Sequence, residues 1–128
     1  VDTFARRLFA KLPARALLFD DDGRTYHPLA LYYQGLLGVR SDVKIRLIDS
    51  WGFAGVGVDP RDAAVIAAMS IDRRYVFLVS VRPPYDAVVN ALACRDIVPV
   101  RFDLDEHRWV YRLARRAHAS TDDTRLIP

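Results

Sequence analysis

Four times in this chain a run of strand-forming residues gives way to an amphipathic segment that opens on Pro or Asp. The clearest copies are Val76 to Val81 followed by Pro83-Pro84, and Ile97 to Phe102 followed by Asp103-Leu104-Asp105-Glu106. Strand–helix alternation is the pattern of a sheet with helices packed on it, because each amphipathic helix must bury its apolar stripe against something. The expected fold is therefore α/β, bordering on α+β, with a mixed five-stranded sheet and helices on both faces. A chain of 128 residues suits one domain with a real core. We place that domain at 1–119 and read 120–128, rich in Thr and Asp and ending in Pro, as a C-terminal tail.

Individual elements follow from periodicity and punctuation. Residues 3–12 read as a helix with Thr3 as cap, an apolar stripe of Phe4, Leu8, Phe9 and Leu12, and Pro13 as its stop. Residues 15–20 form a short buried strand. Pro28 opens a second helix carrying Leu29, Tyr32, Tyr33 and Leu36, with Gly38 at its end. In 43–48, Val43, Ile45 and Leu47 alternate with Lys44 and Arg46, the pattern of a half-exposed strand. Phe53 to Val58 is expected to return beside it as an antiparallel hairpin, with Gly55 and Gly57 permitting close approach of another backbone. Asp59-Pro60-Arg61-Asp62 is a sharp helix start, and Val65, Ile66 and Met69 are its expected buried side. Tyr75 to Val81 is a strand, followed by a helix with Tyr85, Val88, Val89 and Leu92 at helical spacing. The 97–102 strand leads into a last helix, 106–119, with Asp103 and Glu106 as a capping pair.

Composition narrows the function classes. No apolar run approaches the ~20 residues that span a bilayer, so no membrane partner is expected. Cys94 is the only cysteine, which excludes an internal disulfide and a cysteine-based zinc site and suits a cytoplasmic setting. Its neighbours Ala91, Leu92 and Ala93 suggest a small core residue. The basic residues are 17 Arg and 2 Lys, against 15 Asp and 1 Glu. Arg presents a planar fork to carboxylate and phosphate groups, which Lys does not. A net charge of +3 permits an anionic partner without requiring one.

Three groups of residues can carry chemistry. In the first, Phe19-Asp20-Asp21-Asp22-Gly23 closes a buried strand, where carboxylates can hold Mg²⁺ and face a cleft. This resembles the first motif of the haloacid-dehalogenase-like phosphatases. The resemblance implies Asp20 as nucleophile on phosphorus and Asp22 as general acid/base. It covers about ten residues, and Arg24 stands where that family has Thr. The same residues also make an ordinary solvated Asp-Gly turn.

In the second, Asp42-Val43-Lys44 follows Asp20 and Asp22 by about twenty residues. It is similar to the acid, spacer and acid-x-Lys pattern of the restriction-endonuclease-like nucleases. That likeness implies Mg²⁺ held by Asp20, Asp22 and Asp42, with Lys44 orienting water. An exposed Asp and Lys on an edge strand give the same pattern.

The third is the last helix. Arg108, Arg112 and Arg115 follow i, i+4, i+7 spacing with Arg116 adjacent, opposite an apolar side of Trp109, Val110, Leu113 and Ala117. Such a stripe suits a phosphate backbone or an acidic protein surface; it also suits a solvated outer face. Trp51, at the expected hairpin tip, is a further contact candidate. His27, His107 and His118 lack metal-site spacing, and no metal site is expected.

The leading expectation is a small basic binding module that meets nucleic acid or an acidic protein through an Arg-rich C-terminal helix, with no cofactor. One alternative is a Mg²⁺-dependent phosphoryl-transfer enzyme, a small nuclease or toxin domain, using Asp20, Asp22, Asp42 and Lys44. Another is a partner-neutralising protein or a homo-oligomer joined along the 43–58 edge.

Overall fold

The computed structural model describes residues 2–21, 38, 40–48, 57–80, 86–102 and 109–118. Their elements, in chain order, are α1 (Asp2–Lys11), β1 (Leu17–Asp20), β2 (Lys44–Leu47), α2 (Pro60–Ser70), β3 (Val76–Ser80), α3 (Asp86–Ala93), β4 (Ile97–Arg101) and β5 (Trp109–Arg115), with a short 3-10 turn at Arg116–His118. The five strands form one mixed sheet in the order β2-β1-β3-β5-β4. β1 runs parallel to β2 and β3, while β5 runs antiparallel to both β3 and β4. The α/β class holds. None of the described helices is long and apolar enough to cross a membrane.

Helices cover both faces. On one, Leu8, Phe9 and Leu12 of the α1 segment pack against Leu18, Phe77, Val79 and Val110. Phe77 and Phe102 meet edge-to-face there, with ring centroids 5.5 Å apart. On the other, α2 and α3 bury Ala63, Ala64, Ala67, Val88 and Leu92 against Phe19, Leu78 and Leu113. α1 begins at Asp2, so Thr3 lies inside the helix rather than at its cap.

The α2 start is as the residues foretell: the Asp59 carboxylate accepts the Asp62 N–H at 2.8 Å, with Pro60 at the first helical position. Its buried face differs from expectation. Alanines fill it, and Met69 is 72% exposed. Small side chains bring the helix close to the sheet and leave the longer one outside.

The largest correction concerns the C-terminal segment, where residues 109–115 form a strand and not a helix. Val110, Arg112 and Ala114 point to the α1 face and Leu113 to the other, and all four are buried. A strand slotted between two others is covered on both sides, so it loses the period-2 contrast that marks a half-exposed strand. Pairing with β3 and β4 outweighs the weak helical preference of this stretch. Pro99 sits in β4, at the sheet edge. The Phe102 N–H donates to Val110 across the β4–β5 ladder, so by alternation the missing N–H of Pro99 falls on the outer side.

The expected antiparallel hairpin is also corrected. Val58 bridges Ile48 in parallel, its N–H donating to the Leu47 carbonyl at 2.9 Å. Among the described residues the sheet's fifth strand is β5, and of 53–58 only Gly57 and Val58 are described. Most of that return, the second expected helix (28–37) and the tail lie outside the described residues. Cys94 lies just past α3 and is exposed, not a core residue.

Candidate functional site

The residues of the nuclease-like pattern divide between the two ends of the sheet. Asp20 closes β1 opposite Leu47 and Val79, whereas Lys44 opens β2 opposite Leu17. Three residues of strand separate those registers, about 10 Å along the sheet. Asp20, 3% exposed, and Asp21, 7% exposed, are buried where β1 emerges between its two parallel neighbours. Both are engaged in polar interactions, as is buried Ser80 at the end of β3. Among the described residues no group of three or more His, Cys, Asp or Glu side chains comes together to hold a metal ion. Asp22, a further carboxylate of the implied Mg²⁺ set, lies outside the described residues.

Asp42 has a structural task instead. Its carboxylate accepts the Arg15 N–H at 2.8 Å, Arg40 Nε at 2.9 Å and Arg40 Nη2 at 3.0 Å. These bonds, those from Arg40 foremost, hold its carboxyl well below the usual carboxylate range. Arg40 also donates to the carbonyls of Phe9, Leu12 and Pro13, at the end of α1 where no further helical turn supplies N–H donors.

The C-terminal arginines do not form an outward row. Arg112 is 6% exposed, in register with Phe77 on β3 and Val100 on β4. Arg115 makes two bonds to Asp72, at 3.1 and 3.0 Å, and Arg116 Nε lies 3.2 Å from Asp96. Arg108 and Trp51 lie outside the described residues.

A different cationic surface emerges beside β2. Lys44 and Arg46 project from the face that α2 covers, and Arg73 and Arg74 reach the same place from the turn after α2. Together they border a cleft of about 210 Å³ floored by Leu17 and Ile66, with Met69 and Ser70 on its rim. Among the described lining residues there is no carboxylate. No described residue forms an ion pair with any of the four cations. Arg46 is half-buried, and its Nε is buried without a hydrogen-bond acceptor. A buried donor left unmatched costs about 1–3 kcal/mol.

Lys44 and Arg46 were visible from the sequence as the polar side of a half-exposed strand. Arg73 and Arg74 were not connected to them. The link is topological: α2 runs back against the parallel strands and delivers its last turn to the end where β2 begins. Comparison with protein-family models, with curated proteins and with solved structures finds no match.

Proposed function

We propose that this domain is a binding module for an anionic macromolecule, nucleic acid or an acidic protein, and that the contact lies at the cleft between β2 and the end of α2. The reading keeps the partner class suggested by the Arg content and moves the contact away from the 106–119 segment. One observation carries it: Lys44, Arg46, Arg73 and Arg74 share a cleft without a carboxylate among its described lining residues. Positive charge beside the end of a helix is favoured by the helix dipole, which accounts for Arg73 and Arg74. It does not account for Lys44 and Arg46, which come from another element.

Like charges gathered in one place repel, and a partner of opposite sign relieves the repulsion. Guanidiniums also match planar or tetrahedral oxyanions with paired N–H donors. By contrast, Arg115 and Arg116 already face Asp72 and Asp96, so an outside anion must compete for them.

The test compares two double variants by fluorescence anisotropy, with a labelled oligonucleotide and a labelled poly-glutamate peptide as probes. Arg73→Ala with Arg74→Ala is expected to weaken binding about tenfold or more at low salt. Arg115→Ala with Arg116→Ala is expected to change it less than about twofold. The reverse ranking would return the contact to the C-terminal segment. Absence of binding to either probe would remove the reading.

A further inference from the structure

We propose that the occupant of the cleft is single-stranded nucleic acid, seated with a phosphate on the cations and the adjoining base against Met69. This rests on the anion-binding reading above and names its substrate class. Met69 is the one large hydrophobic side chain exposed among the described residues, at 72%. It stands on the rim of the cleft that gathers the four cations. The other large apolar side chains whose burial is described are buried or only partly exposed.

A nucleotide joins a charged phosphate to a flat apolar face through one sugar, so it offers both chemistries within a short span. Met69 lies in the last turn of α2, while Arg73 and Arg74 lie in the turn that follows. The apolar contact and the charges are thus neighbours on the protein as well. A thioether is polarisable and makes favourable contacts with aromatic rings. Base stacking of this kind tolerates any base, because each has a π-face.

The cleft also discriminates by shape. Its volume of about 210 Å³ is concave and small. A duplex carries its phosphates on a stiff convex ridge with its base faces stacked inside, and offers Met69 nothing. A single strand can lower one phosphate between the guanidiniums and turn its base onto the rim. Arg46 lines the same cleft and is half-buried. An acidic peptide would satisfy the charges through carboxylates on flexible side chains and gives no reason for an exposed thioether beside them.

The test measures binding of a labelled oligothymidylate, of the same strand annealed to its complement, and of poly-glutamate, with inorganic polyphosphate as competitor. The single strand is expected to bind about tenfold tighter than the duplex. Met69→Ala should weaken oligothymidylate binding about fivefold while leaving the polyphosphate competition constant unchanged. Arg73→Ala should weaken both. Because Met69 is exposed, its truncation leaves the core intact, and an unchanged melting temperature verifies that. If Arg73→Ala weakens binding but Met69→Ala does not, or duplex and single strand bind alike, the base seat is wrong and the anion site stands. Tighter binding of poly-glutamate than of oligothymidylate would identify an acidic protein as the partner and overturn the proposal. If none of the anions binds, the anion site itself falls.

Discussion

Arg40 and Asp42 form a two-point pair, Nε to Oδ1 at 2.9 Å and Nη2 to Oδ2 at 3.0 Å, in the turn that leads into β2. The pair closes a junction between three segments: the end of α1, the turn before β1 and the start of β2. Two residues at this junction adopt left-handed backbone, Arg15 at φ 58° and Arg40 at φ 52°. Such conformations cost non-glycine residues about 1–2 kcal/mol. The Arg15 N–H bond to Asp42 and the Arg40 bonds to the α1 carbonyls hold them in place.

Arg40→Met should therefore destabilise the fold by about 1–2 kcal/mol, because it leaves helix-end carbonyls without their donor. Urea denaturation checks the value. Asp42→Ala should destabilise in the same direction. A loss of activity in any assay after Asp42 substitution should then track the loss of folded protein rather than a missing catalytic group.

The same pair sets an acid limit. The Asp42 carboxyl is depressed in the folded state by Arg40 and the Arg15 N–H. The unfolded chain, with its carboxylate near pH 4, binds the proton more readily. Asp42 thus contributes stability above about pH 4, and that contribution fades as pH falls below it toward the folded-state value. Asp42→Asn should flatten the decline in melting temperature over that acidic window. An identical acid limb in both proteins would mean that the pair does not set it.

Gly57 has a backbone φ of 85°, and a Cβ there would lie 2.6 Å from the Leu47 carbonyl oxygen. That contact is backbone against backbone, so neither side can yield cheaply. Gly57→Ala should cost about 2 kcal/mol or more. Gly38 makes the comparison clean: its φ is 66°, yet a Cβ would meet nothing within 4 Å. Gly38→Ala should cost only about 1 kcal/mol, the conformational part alone. Equal losses in thermal melts would contradict the close approach at Gly57.

Arg112 is expected to behave as a core residue. Its stem fills space between Phe77 and Val100 in the middle of the sheet. Arg112→Ala should destabilise by about 2–4 kcal/mol, and Arg112→Met, which keeps most of the stem, by less. Binding measured on the folded fraction should be unchanged in both.

These cases show what can be seen from residue order alone. Asp59-Pro60 announced α2 because capping chemistry is local and needs no distant partner. β1, β3 and β4 were visible as apolar runs bounded by turn residues. β5 was hidden because one of its two arginines, Arg112, occupies a buried position, where pattern reading expects an apolar side chain. The residues around it then matched helical spacing by coincidence. Lys44 and Arg46 stood out as the polar side of β2, but their partners across the cleft depend on the parallel return of α2, a long-range consequence of strand order. Asp20 and Asp42 failed to meet for the same reason, since strands that run parallel keep their beginnings and ends apart.

The most direct measurement is the salt dependence of oligothymidylate binding by the unaltered protein and by the Arg73→Ala, Arg74→Ala double variant. Each phosphate contact on a single strand contributes about −0.7 to the slope of log K against log salt. If both arginines seat phosphates, the slope should become shallower by about 1.4 in the variant, with affinity converging at high salt. Parallel lines of equal slope would show that the cleft cations touch no phosphate and would contradict the assignment of the cleft.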